Sequence, residues 1–189
     1  MTAGRQRRPT DTYYQIRNEH LSQGDIFRDV PLAYPLPADG IVIDEDARGV
    51  RLFVSGPFET GFGLLLTPTC SMSAQRAQLG TYAHPVRTLA VVRPLAELLD
   101  RDVFDEAKVG LLRTYDSFIN YMYLPAEDAL DIPESVALLY MPVTLHHDMI
   151  EGQRVTQLSR VAAQQLQRKL AHYTTSMLLD REEFDPPMD

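Results

Sequence analysis

Gly63-Leu64-Leu65-Leu66-Thr67-Pro68-Thr69-Cys70-Ser71-Met72 is the stretch on which the fold turns. Three consecutive leucines follow a glycine, and Pro68 closes the run. A short apolar run ended by a proline reads as a buried strand, here Gly61 to Thr67. Beyond it the chain enters a stiff, polar corner that carries the only cysteine, Cys70.

Strand-like runs flank this stretch on both sides. Upstream, Gly24-Asp25-Ile26-Phe27 reads as a turn feeding a first strand. Pro31, Pro35 and Pro37 confine the next stretch to an edge or an extended loop. Ile41–Ile43 and Val50–Val54 are two β-rich runs joined by a hairpin over residues 44–49. Downstream, Ser71 to Gly80 reads as a loop. Thr81–His84, Thr88–Val92, Asn120–Leu124 and Val136–Met141 are further expected strands. Leu95–Leu99 and Phe104–Leu112 carry helical spacing and form a helical insert. Leu145–Ile150 and Arg154–Leu158 flank Glu151-Gly152-Gln153, which predicts a second hairpin. Near the start, Thr12 to Leu21 is expected to form a short helix, with Tyr13, Ile16 and His20 along one side.

Ser159 reads as an N-cap. After it, Ala162, Leu166, Leu170, Tyr173 and Met177 recur at steps of three or four, one apolar stripe on a helix over residues 159–179. Residues 1–10 and 183–189 read as flexible or extended tails. The expectation is one α+β domain over residues 1–189. It would hold a bent antiparallel sheet or a small SH3-like, partly open barrel, with the helical insert and a long C-terminal helix.

Composition narrows the function classes. The chain has 189 residues, 18 basic against 26 acidic, and a net charge of −8. That argues against broad, salt-driven nucleic-acid binding. No apolar run reaches the roughly 20 residues a membrane helix needs. A single cysteine cannot make an internal disulfide, which fits the cytoplasm.

Cys70 with His84 is the candidate catalytic pair, because a thiolate needs a base or a cation beside it. The favoured reading of Cys70 is nonetheless a small packed thiol. Asp25, Thr67, Thr69, Cys70 and His84 are the candidate ligand-binding residues, expected to converge where the central strand meets its corner. His146 and His147 are adjacent and would point to opposite faces of a strand, so no metal site is expected. Tyr115, Tyr121, Tyr123, Tyr140 and Phe118 form an aromatic-rich region, read chiefly as interior packing. Arg113, Asp116 and Asn120 lie beside it. No cofactor fingerprint is present: Gly56, Gly61 and Gly63 have the wrong spacing for a dinucleotide or phosphate loop.

Gly24-Asp25-Ile26-Phe27, the Leu64 to Cys70 strand end and the helix after Leu158 together resemble a group of small bacterial β domains. The chain as a whole looks like an uncharacterised actinobacterial family with these Gly-Asp-Ile and Thr-Cys motifs. The Gly-Asp-Ile start also resembles PemK/MazF toxin domains, SH3-like barrels that cut RNA. In that resemblance Thr67 matches the Ser or Thr ending the second core strand. Phe62-Gly63 stand where Arg-Pro is expected, so the catalytic arginine has no counterpart. Ser71 replaces the Asp that follows Cys in the first group. The expected function is a non-enzymatic binding or accessory module for a protein or a small ligand. The alternative is a Cys/His-dependent hydrolase or a degenerate PemK/MazF-like RNA-cleaving domain.

Overall fold

The computed structural model describes residues 13–32, 41–46, 49–54, 59–72, 86–114 and 118–182. Among these, eight strands and three α-helices follow one another: β1 (Asp25–Leu32), β2 (Ile41–Asp46), β3 (Gly49–Val54), β4 (Glu59–Leu65), β5 (Val86–Pro94), α1 (Leu95–Asp100), α2 (Glu106–Thr114), β6 (Tyr121–Leu124), β7 (Ser135–His146), β8 (Arg154–Gln157) and α3 (Arg160–Glu182). β2 and β3 pair as the expected hairpin. The other six form one antiparallel sheet in the order β6-β7-β5-β4-β1-β8, curled into a half-barrel. The α+β class with a partly open barrel is therefore what the chain adopts.

The leucine run is buried on both sides because the sheet is covered on both faces. Leu64 joins Ile26, Ala90, Met122, Leu124 and Leu139 on the face packed by Ala162 and Leu166 of α3. Leu65 joins Phe27, Val30, Leu89, Val91 and Ile150 on the other. Adjacent residues of a strand point to opposite faces, so neighbouring leucines feed two cores. The insert forms a third cluster, with Leu95, Leu98, Val109 and Leu112 against Tyr123, Val136 and Leu138.

The C-terminal helix docks through the described part of the expected stripe, Ala162, Leu166 and Leu170; the Met177 side chain lies outside the described residues. Ser159 Oγ accepts the Ala162 N–H at 3.4 Å, which caps the helix as predicted. Leu166 is fully buried, Leu170 packs at the rim of the same cluster, and Tyr173 is half-buried. Burying a side chain such as Leu166 contributes about 1.5–3 kcal/mol.

Irregularities in the ladders reshape two strands. β1 bulges between Phe27 and Val30, where Asp29 takes φ 54°. This breaks the alternation and leaves Arg28 and Asp29 exposed. β7 runs past the expected end at Met141, because a second irregularity lets Pro142 enter opposite Ala90. A proline fits a strand at such a break, where the ladder is already interrupted.

Two expectations are corrected. Tyr13–Leu21 is extended and not helical. Tyr14 bridges Leu158, and the Gln15 N–H donates to Gln157 O at 2.8 Å. Tyr13 and Tyr14 are tied to β6 and the residue just after it while Ile16 is left exposed, so helical spacing loses to pairing with β8. The Glu151-Gly152-Gln153 turn exists, with Gly152 at φ 77°. It does not close a hairpin, since β7 pairs with β5 and β6 while β8 pairs with β1. A 3-10 turn at His147–Met149 and the buried Ile150 carry the chain across to the opposite edge. The expected strand Thr81–His84 and the expected tails, residues 1–10 and 183–189, lie outside the described residues.

Candidate functional site

The chain turns a corner after β4, where the Thr67 and Thr69 hydroxyls are engaged by backbone. Leu66 and Thr67 both donate N–H to Thr88 O, at 2.8 and 3.3 Å. Thr67 Oγ1 accepts the Thr88 N–H at 2.8 Å. Thr67 therefore extends the β4–β5 ladder by one side-chain rung. Thr69 opens a 3-10 turn, Thr69–Met72. Its Oγ1 accepts the Gln23 N–H at 3.0 Å, and Gln23 Nε2 donates to Leu66 O at 2.7 Å. The Gly24 N–H adds a bond to Leu65 O at 2.9 Å. Gly24 has φ 92°, which side-chain-bearing residues rarely adopt, so this tight approach suits glycine.

The turn carrying Asp25 is thus stapled to the corner carrying Thr67 and Thr69. The Asp25 carboxylate itself faces β8. It is fully buried; Oδ2 accepts the Ser22 N–H at 2.9 Å and meets Arg154 Nη1 at 3.4 Å, and Oδ1 has no hydrogen-bond partner. Burial pushes this carboxyl above the ordinary aspartate range. The Ser22 N–H and then Arg154 pull the other way. Gln157, opposite Asp25 in the ladder, favours the charged form from nearby, while its amide donates to Asn18 and His20. Cys70 contributes its backbone to the 3-10 turn. Its side chain and all of His84 lie outside the described residues, and so does their expected pairing.

Arg154 leads to a different place. Its side chain is 23% exposed, and Nη1 holds both Asp25 and His20 O, the latter at 3.1 Å. Among the described residues, Nε and Nη2 have no partner. Clefts open on both sides of it. One, of about 360 Å³, has Phe27 and Ile150 as an apolar floor, with Leu21, Glu19, His147 and Arg154 around it. The other, of about 390 Å³, lies between Arg28 and Arg154 on one wall and Asp128, Leu130 and Asp131 on the other. The β1 bulge leaves Arg28 exposed on that wall, where its Nη2 donates to Leu130 O at 3.2 Å.

No protein-family model matches the chain. No curated protein matches it either. The functional reading therefore rests on its own residues.

The aromatic region packs only in part: Tyr123 is buried, Tyr121 and Phe118 are half-buried, and Tyr140 is 39% exposed. Tyr121 makes edge contacts with Phe104, Phe118 and Tyr140 at ring separations of 5.0, 6.2 and 5.5 Å. Arg113, its neighbour in the sequence reading, forms a two-pronged ion pair with Glu134, both contacts 2.7 Å, and the Tyr123 hydroxyl donates to the same carboxylate. Arg113 holds Glu134 below the usual carboxylate range. Burial, then the Glu134 hydrogen bond, pushes Tyr123 up to about 12. Tyr115 and Asp116 lie outside the described residues. Among the described residues no group of three His, Cys, Asp or Glu side chains is arranged to hold a metal ion, and no helix is long and apolar enough to cross a membrane.

Sequence reading missed Arg154, Arg28 and Gln157. A usable signal was present in Arg154-Val155-Thr156-Gln157. A four-residue strand with a polar residue at each end is costly to bury unless those ends find partners.

Proposed function

We propose that the protein is a non-catalytic, cytoplasmic binding module whose ligand presents an anionic group, carboxylate or phosphate, to Arg154. One observation carries this reading. A partly buried guanidinium stands in the wall of two clefts, fixed through Nη1, with Nε and Nη2 unengaged. A guanidinium's planar fork matches carboxylate and phosphate oxygens, and partial burial strengthens such contacts. The apolar floor at Phe27 and Ile150 supplies the non-polar contact common in ligand sites. Phosphate and acetate, titrated separately, should shift the amide resonances of residues 150–155, and Arg154→Ala should abolish the shifts. Shifts elsewhere, or shifts that persist in the variant, would remove the site. The competing proposal is catalysis by Cys70 with His84, or RNA cleavage centred on Thr67. Rapid alkylation of Cys70 near pH 6 that slows in His84→Ala would favour the first form. RNA cleavage lost in Thr67→Ala would favour the second.

A further inference from the structure

Six consecutive residues, Gln15–His20, have exposed side chains and yet lie against the sheet. Ile16 is 64% exposed, so apolar burial does not hold this segment down. Its ends are fixed. Upstream, Tyr13 and Tyr14 donate their hydroxyls to Tyr123 O and Pro125 O, at 2.6 and 2.7 Å. Downstream, the Ser22 N–H is bound by Asp25.

Between those ends one side chain does most of the holding. Gln157 is fully buried. Its Oε1 accepts the N–H groups of Arg17 and Asn18, at 2.7 and 3.3 Å. Its Nε2 reaches Asn18 Oδ1 at 3.1 Å, Asn18 O at 3.3 Å and His20 O at 3.4 Å. Arg154 Nη1 adds a tie to His20 O, Gln157 O accepts the Gln15 N–H at 2.8 Å, and the Asn18 side chain pairs with Ser22 Oγ at 3.2 Å. Glu19, near the downstream end of this span, and Leu21, just beyond it, line the cleft of about 360 Å³.

We propose that Gln15–His20 is a strap that closes over the Arg154 cleft, with Gln157 as the positioning residue that clasps it. The role of the cleft rests on the binding-module reading above; the strap's own opening does not. A segment held by a few hydrogen bonds and little apolar contact opens at lower free energy than the core strands beside it. Opening requires that Gln157 and Arg154 release their bonds and that Asn18 release Ser22 Oγ, while Tyr13, Tyr14 and the Ser22 backbone anchor the ends. Arg154 belongs to both the clasp and the cleft. Nη1 holds His20 O while Nε and Nη2 face the ligand, so strap and anion meet on one guanidinium, and a ligand that draws it deeper into the cleft pulls on the clasp.

Two ligand-free measurements test this. Native-state hydrogen exchange on the wild type should show the Arg17 and Asn18 amides opening with little denaturant dependence and well before those of Ile26 and Leu65. Exchange of all four only on global unfolding would overturn the proposal. Arg154 modification by phenylglyoxal, followed by peptide mass spectrometry, should be faster by about fivefold or more in Gln157→Leu, with the exposed Arg168 unchanged as control. Equal Arg154 rates in a folded variant would overturn the clasp. Should the variant not fold, the wild-type exchange result still decides. Absence of phosphate and acetate binding alongside early strap opening would sink the ligand reading and leave the strap standing.

Discussion

The half-barrel has two polar corners, and they use their side chains in opposite ways. In the corner after β4, Thr67 and Thr69 accept backbone N–H groups from Thr88 and Gln23. Their oxygens complete the ladder and the neighbouring turn. In the corner that opens β8, Arg154 satisfies Asp25 and His20 with one nitrogen, and its other two have no partner among the described residues. Residues that look chemically able in sequence can serve the backbone where strands end, since buried N–H groups must be paired. The donors left over are the ones a ligand can use.

The largest effect should come from the strand that delivers the first corner. A Cβ on Gly63 would meet Leu89 Cδ2 at 2.9 Å and Val30 Cγ2 at 3.1 Å. Gly63→Val should cost about 3 kcal/mol in urea unfolding through overpacking. An unchanged midpoint would mean that the neighbours yield freely. Next, Arg154→Ala should cost about 2 kcal/mol at neutral pH, because it leaves a buried carboxylate short of its cation. Loss of anion binding without loss of stability would separate the two roles given to Arg154.

Thr67→Val should cost about 1 kcal/mol by leaving the Thr88 N–H without its side-chain acceptor, and anion binding should be unaffected. Weaker binding in this variant would erase the contrast between the corners. The smallest effect is a change of slope. Burial raises Asp25 above 3.8 in the folded state, so the folded protein holds that proton more tightly than the unfolded chain. Asp25's contribution is complete below pH 3.8 and is lost as pH rises through the raised value. Glu134, lowered from 4.5, acts in the opposite sense: its contribution is present above that value and is lost as pH falls through its lowered one. The difference between wild type and Asp25→Asn isolates the first contribution. Parallel stability–pH curves would show that Asp25 titrates alike in both states.

Local pattern made much of the fold legible. The α3 stripe and Ser159 cap, the β2–β3 hairpin, the Gly24 turn and the two insert helices all follow from spacing and turn chemistry a few residues apart. The leucine run was legible as a buried strand. The same local logic misread Tyr13–Leu21, whose helical spacing is outweighed by pairing with Leu158 and Gln157.

The sequence by itself determined which segments are apolar, where the chain turns and where the long helix begins, because those depend on neighbouring residues. Only the tertiary structure decided that β8 pairs with β1 rather than β7, and that decision built the candidate site. It put Arg154 and Gln157 beside Asp25, which precedes them by more than a hundred residues, and under a strap from the N-terminal end. Strand pairing is settled by which ladder leaves the fewest buried polar groups unmet once the sheet curls, a sum over distant residues that no local window contains.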